Sequence, residues 1–452
     1  MRNGSRSFQQ AFPDTIASGD RGERLLIDYQ SPEYRRSRAA YVAQCAVEYF
    51  VALLATDAFL AKILAYVGIS DALVGVISSF VTLAFMVQLA TVFLVRTRVS
   101  VKILVLVLDT VSIAFFTVLY LVPFLPVGRE MRTVLVVISV FLAYTGRYLI
   151  TSMYFKWANS FVDPTHRASF SAVKEMISLF GGMLFSLAAG YIVDRFEGSG
   201  NLEGAFLFLA VSILVLNAVN FVTIVLIRKD DPCTRGERGA GLGTALKMTL
   251  GTANFRHVVI MDVIWAVARY ITIGFMGTFK TKDLMLSVLA IQIINIGASL
   301  ARIAVSKWFG RYSDRHSFAR GFELALWIEA AAFLICVFTT GATWYLVIAY
   351  TVLMSVSAAG TGQNSFNITY SYVDGRYVTQ ALALKSCISG IFGFGASLLG
   401  SRVLHLVQEN GNRVFGIRLY GQQLLSAVSF LLIVALILYI KLVIEKQKVI
   451  VQ

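Results

Sequence analysis

Twelve long apolar runs constrain this chain more than any other feature. They fall at roughly 41–66, 72–94, 103–124, 133–157, 170–192, 205–227, 258–279, 284–307, 321–338, 344–367, 380–404 and 420–441. An α-helix needs about 20 apolar residues to cross the bilayer core, and only helices or closed barrels keep every backbone group paired there. The runs are too long and too continuous for barrel strands of about ten alternating residues. The expectation is an all-α integral membrane protein with twelve transmembrane helices. Composition points the same way. The 452 residues are 57% hydrophobic and 15% charged, whereas soluble domains carry about 25% charged residues. This surface cannot be covered with polar groups, so its solvent is lipid.

Basic residues set the orientation. With the N-terminus on side one, 28 of the 40 Lys and Arg fall on side-one segments and 8 on side-two segments, including Lys280 and Lys282. Side one is therefore read as the cytoplasm, with both termini inside, in a multi-pass protein of the cell membrane. The net charge of +14 is a topology signal and calls for no nucleic-acid partner. The polar N-terminal stretch lacks the apolar core of a secretory signal and reads as a cytoplasmic tail. The four cysteines have no CxxC spacing and read as free thiols, with no metal site.

The chain repeats at an offset of 211. Ser160/Ser371, Val162/Val373, Asp163/Asp374, Lys174/Lys385, Ser178/Ser389, Gly182/Gly393, Gly200/Gly411 and Asn201/Asn412 coincide. Six runs separate the copies, so both point the same way. This predicts two six-helix bundles in a 6+6 parallel repeat, the kind of duplication in which two bundles rock around a site at their interface. The expected segments are a tail at 1–40, a first bundle at 41–227, a polar linker at 228–257, a second bundle at 258–441 and a tail at 442–452.

The stretch WFGRYSDRHSFARGF, Trp308 to Phe322, reads as a short charged loop between runs eight and nine. Together with the twelve runs, the parallel repeat, the long central linker and the internal termini, it resembles the major facilitator superfamily. That family's signature loop runs Gly-x-x-x-Asp-Arg-x-Gly. Gly310, Asp314 and Arg315 match it, and Ser317 replaces the second Gly. In the first half, VRTRVSVK keeps only the basic character. The resemblance implies a cytoplasmic gate in which Arg315 pairs with Asp374, and Asp163 with Arg96 or Arg98. Arg320 reads as a topology anchor.

Ionisable residues inside a membrane are costly and face a cavity or a partner. The candidates are Glu48, Asp57, Arg147, Asp262, Arg269 and Arg302, with Lys62 snorkelling outward. Glu48 and Asp57 lie nine residues apart, on opposite faces of a straight helix. The resemblance places spans one, four and seven around a central cavity. That makes Asp57 or Glu48, Arg147 and Arg269 its lining, with the two arginines forming one cationic site for an anionic solute. Glu48, Asp262 and Arg302 are read equally well as interhelical ion pairs. In run ten, GTGQNSFN reads as a helix-weakening polar stretch, and its Gln363 and Asn364 join the solute-pathway candidates. Asp109 and His405 read as packed or interfacial residues.

No GxxxxGK[ST] phosphate loop occurs, and the four histidines form no surface cluster fit for a membrane transferase. The reading is a secondary active transporter of a small solute, working by alternating access and coupled to protons through Asp57 or Glu48. It is not an enzyme and needs no cofactor. It is monomeric, and its partners are the solute, the proton and lipid. A non-transporting sensor or assembly partner on the same fold is the alternative.

Overall fold

A computed structural model describes residues 29–87, 100–162, 167–228, 251–372, 378–414 and 417–446. It is helical almost throughout. The first half holds α1 (Pro32–Leu54), α2 (Asp57–Val67), α3 (Asp71–Ser78), α4 (Phe80–Val87), α5 (Val101–Leu121), α6 (Arg129–Ser160), α7 (Arg167–Gly198) and α8 (Leu202–Leu226). The second holds α9 (Ala253–Tyr270), α10 (Val288–Arg315), α11 (Phe318–Val337), α12 (Leu346–Tyr372), α13 (Val378–Glu409) and α14 (Gly421–Leu442). A two-residue hairpin, Arg413–Val414 with Ile417–Arg418, precedes α14.

Among the described residues, nine helices are long and apolar enough to cross a membrane, ten if the pair α1 and α2, bent by 45°, is one span. Their outer faces are apolar, as a membrane-spanning helix requires. On α5, Ile103, Val107 and Val111 stand exposed at successive turns, a stripe that would be an aggregation surface in water. Two large apolar cores lie inside. One runs from Val51 to Ile213 and also takes in Val288 and Ile291. The other runs from Val258 to Ile444.

The 211-residue offset is visible in the backbone. Helices α7 and α13 span 32 residues each and start 211 positions apart. Both end on a left-handed glycine, Gly200 (φ 75°) and Gly411 (φ 64°). In each, the amide of the following Asn donates to the carbonyl five residues back, Asn201 to Phe196 and Asn412 to Val407, at 3.0 Å. Only glycine takes that φ freely. The copies then diverge. The Asn201 side chain caps α8 by accepting from the Gly204 amide at 3.0 Å, whereas Asn412 leads into the hairpin.

Two sequence expectations change here. The charged stretch after Trp308 is mostly not a loop: α10 continues through Arg315, and only His316 and Ser317 join it to α11. Ser317 caps α11 by accepting from the Arg320 amide at 3.1 Å. Close approach at this corner comes from Gly321, where a Cβ would lie 2.0 Å from Ser313 Oγ and 2.7 Å from Asn364 Nδ2. Helix α12, for its part, runs unbroken through GTGQNSFN, because Asn364 Nδ2 and Thr361 Oγ1 donate to carbonyls one turn back.

All cross-half hydrogen bonds and ion pairs among the described residues lie toward side two. Asp71 pairs with Lys282 and accepts from Gln408 Nε2 at 3.1 Å. Asp194, from α7, accepts from the Val288 and Leu289 amides at 3.0 and 2.9 Å. It is an acid from one half neutralising the helix N-terminus of the other. Backbones touch as well, since a Cβ on Gly274 would sit 2.5 Å from the Gly75 carbonyl oxygen. A carbonyl cannot yield as a side-chain tip can. Gly274→Ala should therefore lower stability by about 1–3 kcal/mol, read as a lower melting temperature in detergent. Gly297→Ala, which meets nothing within 4 Å, should leave it unchanged or raised.

Candidate functional site

The site begins where two helices fail. At the end of α1, Thr56 Oγ1 donates back to Ala52 O at 3.0 Å, taking a carbonyl that the helix would otherwise use. The chain turns, and Asp57 opens α2 at φ 46°, a conformation that costs a non-glycine residue about 1–3 kcal/mol. The break frees backbone carbonyls of buried residues, Leu54 and Ala55 being 0% and 1% exposed. Tyr120 Oη donates to Leu54 O at 2.6 Å and Tyr144 Oη to Ala55 O at 3.4 Å. In the second half, α9 ends at Tyr270 and the chain continues through a 3₁₀ turn, Ile273–Phe275, into a π turn, Phe279–Asp283.

These two irregular segments meet. A Cβ on Gly277 would lie 2.8 Å from the Asp57 carbonyl oxygen. Lys280, on the π turn, reaches Asp57 Oδ2 at 3.1 Å, with side chains 7% and 27% exposed. Asn295 Nδ2 donates to the same oxygen at 3.1 Å. Lys280 is therefore not one of the surface topology charges counted from sequence. The helical turns continue to Asp283 and carry it inward.

A cavity of about 490 Å³ lies against this contact, lined by Asp57, Tyr144, Arg269, Tyr270, Lys280 and Tyr350 among others. Arg269 and Tyr270 also line a second cavity of about 260 Å³, formed by the second half with Phe85 of the first at its wall. Arg269 Nε lies 3.5 Å from Glu329 Oε1, and its guanidinium lies 4.9 Å from the centre of the Trp265 ring. Glu329 is 1% exposed and accepts from Trp265 Nε1 at 3.3 Å and Ser357 Oγ at 3.1 Å. Deeper in, Lys385 Nζ pairs with Asp262 Oδ1 at 3.2 Å. Ser365 and Ser389 complete Asp262 at 3.0 and 2.7 Å.

A third cavity, about 350 Å³, lies in the first half. There Arg147 Nη2 is 3.3 Å from Glu48 Oε2. Cavities two and three are counterparts. Lys174/Lys385, Glu175/Ser386, Ser178/Ser389 and Tyr154/Ser365 each stand 211 residues apart and line the two in turn. The first helix of each half also lines its cavity, with Glu48 and Tyr49 in one and Asp262, Arg269 and Tyr270 in the other. The frame repeats while the ionisable side chains on that helix differ.

The structure thus sorts the sequence candidates. Arg147 and Arg269 do not share one cationic site, since each faces its own cavity and its own carboxylate. Asp57 lines the central cavity, Glu48 the first-half cavity and Asp262 the second-half cavity. Arg302 is exposed on α10, and Asn364 is buried in packing. Neither lines these three cavities. The Gln363 side chain lies outside the described residues, as do Asp163, Asp374, Arg96 and Arg98. Gly310, Asp314 and Arg315 sit in the last turns of α10, with Asp314 and Arg315 exposed and in no ion pair among the described residues. Lys62 pairs with Glu197 at 2.5 Å, and Arg320 Nε lies 3.9 Å from Glu445 Oε1. His405 pairs with Glu409 one turn on. Sequence reasoning missed Glu329, whose signal was a lone acid in an apolar run, and Lys280, Lys385, Asp71 and Asp194, which sit near run ends. Among the described residues no three His, Cys, Asp or Glu side chains group as metal ligands would.

The all-helical fold, with a cavity between its halves, is shared with solved structures of transporters. The chain is similar to a variant of the nucleoside transporter NupG (TM-score 0.71, 11% identity, covering 90% of this chain and 99% of that one). It is also similar to the POT family transporter PepTSo (0.69, 11%, 92% and 100%) and to a D-xylose-proton symporter (0.63, 12%, 88% and 96%). No family model matches the chain, and no curated protein matches it in sequence.

The Asp57–Lys280 contact has a direct test. Lys280 is the more buried partner, so Asp57→Asn strands a charge and should cost about 3–5 kcal/mol. Lys280→Met should cost less, because Asp57 keeps Asn295 and more solvent. The double variant should recover much of the Asp57→Asn loss. Additive losses in thermal unfolding would mean that the two side chains do not interact.

Proposed function

We propose that the chain is a secondary active transporter that carries a small polar solute by alternating access. Twelve spans form two six-helix bundles, 41–227 and 258–441, joined by the linker 228–257. Side one is the cytoplasm, and the described conformation is closed on the outer side. The observation that carries this reading is the set of polar contacts that joins the halves toward side two. Asp57 meets Lys280 and Asn295, Asp71 meets Lys282, and Asp194 meets the Val288 and Leu289 amides, with the central cavity beneath. A closed end over a central site is half of an alternating-access cycle. In the opposite state the loop charges close side one, Arg315 with Asp374 and Asp163 with Arg96 or Arg98.

The solute binds between Arg269 and the Asp57–Lys280 pair. Tyr144, Tyr270 and Tyr350 offer ring faces and hydroxyls, and a cavity of about 490 Å³ lies within the usual range for small ligands. Arg269 faces Glu329 through Nε at 3.5 Å, an ion pair without a hydrogen bond. A guanidinium has further donors, and these suit an acidic group on the solute. Proton coupling fits a chain whose fold is shared with a proton symporter and whose cavities are lined by carboxylates.

A thermal-shift screen of the purified protein against sugars, nucleosides, peptides and organic anions identifies a solute. Uptake of that solute into proteoliposomes should then require a proton gradient and collapse when an uncoupler dissipates it. Uptake indifferent to the gradient would remove the coupling. Absence of any uptake would leave the sensor reading. Arg269→Gln should weaken anionic solutes about 10- to 100-fold, the worth of a charged hydrogen bond of about 1.5–3 kcal/mol, and spare neutral ones. Equal loss for both would make Arg269 structural.

A further inference from the structure

Beside the first-half cavity lies a carboxyl group that the proposed solute site does not use. Asp109, on α5, is 1% exposed. Its Oδ2 accepts from Asn220 Nδ2 at 2.7 Å and Gln44 Nε2 at 3.4 Å. Its Oδ1 has no hydrogen-bond partner among the described residues, and neither do Asn217 Oδ1 and Asn220 Oδ1. The surroundings are rich in acceptors and short of a donor. The charged groups that face Asp109 are Glu48 from α1 and Arg147 from α6, with the Tyr154 phenol beyond. Helix α8 contributes the amides Asn217 and Asn220 and no ionisable side chain to this contact.

The charges do not balance. Asp109 and Glu48 face one cation, Arg147, which Glu48 already engages at 3.3 Å, while Lys174, the other cation lining the cavity, stands over the Tyr41 ring at 5.3 Å. The second half shows the contrast. Glu329, equally buried on α11, has Arg269 at 3.5 Å, and Asp262 has Lys385 at 3.2 Å. An ionised carboxylate without a cation in such surroundings is expensive, and neutralisation is the ordinary remedy. A route exists as well. Gln44 Nε2 also donates to Glu48 Oε1 at 2.6 Å, which holds both acids around one amide. Glu48 is 15% exposed and lines the cavity.

We propose that Asp109 is a proton-binding carboxyl that exchanges its proton with the first-half cavity through Glu48. A hydronium ion in the cavity gives its proton to the Glu48 carboxylate. Glu48 passes it to Asp109 and returns to its pairing with Arg147. The inference rests on the proton-coupled reading above and names where the proton is held.

Infrared spectroscopy of the purified protein tests it without any solute. The wild type should show a carboxylic-acid C=O band that fades as the buffer is made alkaline. Asp109→Asn, a neutral near-isostere, should lose that band. Asp109→Glu should restore it at a shifted position. Glu48→Gln should keep it but slow its response to a pH jump. A wild type with no such band, a band unchanged in Asp109→Asn, or a band indifferent to pH would overturn the proposal. Loss of the band on exchanging choline for sodium at constant pH would overturn it too, in favour of a metal-cation site. Failure of gradient-driven uptake would count against the transport reading alone, because the infrared band is independent of it.

Discussion

The Asp57–Lys280 ion pair joins two points at which the backbone of this protein stops being a regular helix. Each break is costly in a medium with no water to take up loose carbonyls. The break in the first half is tolerated because Tyr120 and Tyr144 bond the freed oxygens. The irregular turn in the second half is what lifts Lys280 from a helix end into the interior. Gly277 allows the two segments to touch, and the charge pair then holds Asp57 in a conformation a non-glycine residue would otherwise leave. Fold, strain and electrostatics at this point support one another, and the central cavity sits directly beneath.

Around it, the protein is a repeated frame carrying unequal charge. Cavities in the two halves share lining positions at the repeat's spacing, Lys174 with Lys385 and Ser178 with Ser389. In the second half Asp262 and Glu329 each have a cation. In the first, Glu48 and Asp109 face one arginine, Arg147. Repetition explains why the halves fit together as a pair. The inequality leaves a cavity-lining arginine in one and a surplus carboxyl in the other. The latch toward side two is built from first-half acids, Asp57, Asp71 and Asp194, meeting second-half donors. Such a latch can open as a unit when those donors find other partners.

Much of this was legible in the sequence, for identifiable reasons. Charges inside apolar runs stand out, so Glu48, Asp57, Arg147, Asp262 and Arg269 could be named. The repeat was legible because the ends of α7 and α13 are capped alike, through Gly200 and Gly411. Partners were harder. Lys280 and Lys385 sit near run ends, where a lysine looks like a topology marker, and hydropathy carries no sign of a 3₁₀ or π turn. Glu329 was passed over within a run otherwise apolar. Asn364 was read as pathway because a polar residue in a span invites it, but its role is to bond Gly360 and pack at Gly321. The signature stretch read as a loop because its charges are dense. Ser317, the departure from the family pattern, turns out to cap α11, which accounts for a serine at that position.

In the proposed cycle the two halves close at one end while parting at the other. Pulsed electron resonance distances between spin labels test it most directly. Ser199→Cys with Asn410→Cys reports on side two, and Arg36→Cys with His316→Cys on side one, all four at exposed positions. The account predicts anticorrelated shifts. When solute and acid are added, or when Asp57→Asn releases the latch, the side-two distance should lengthen as the side-one distance shortens. Distances that stay fixed at both ends, or that lengthen together, would contradict it.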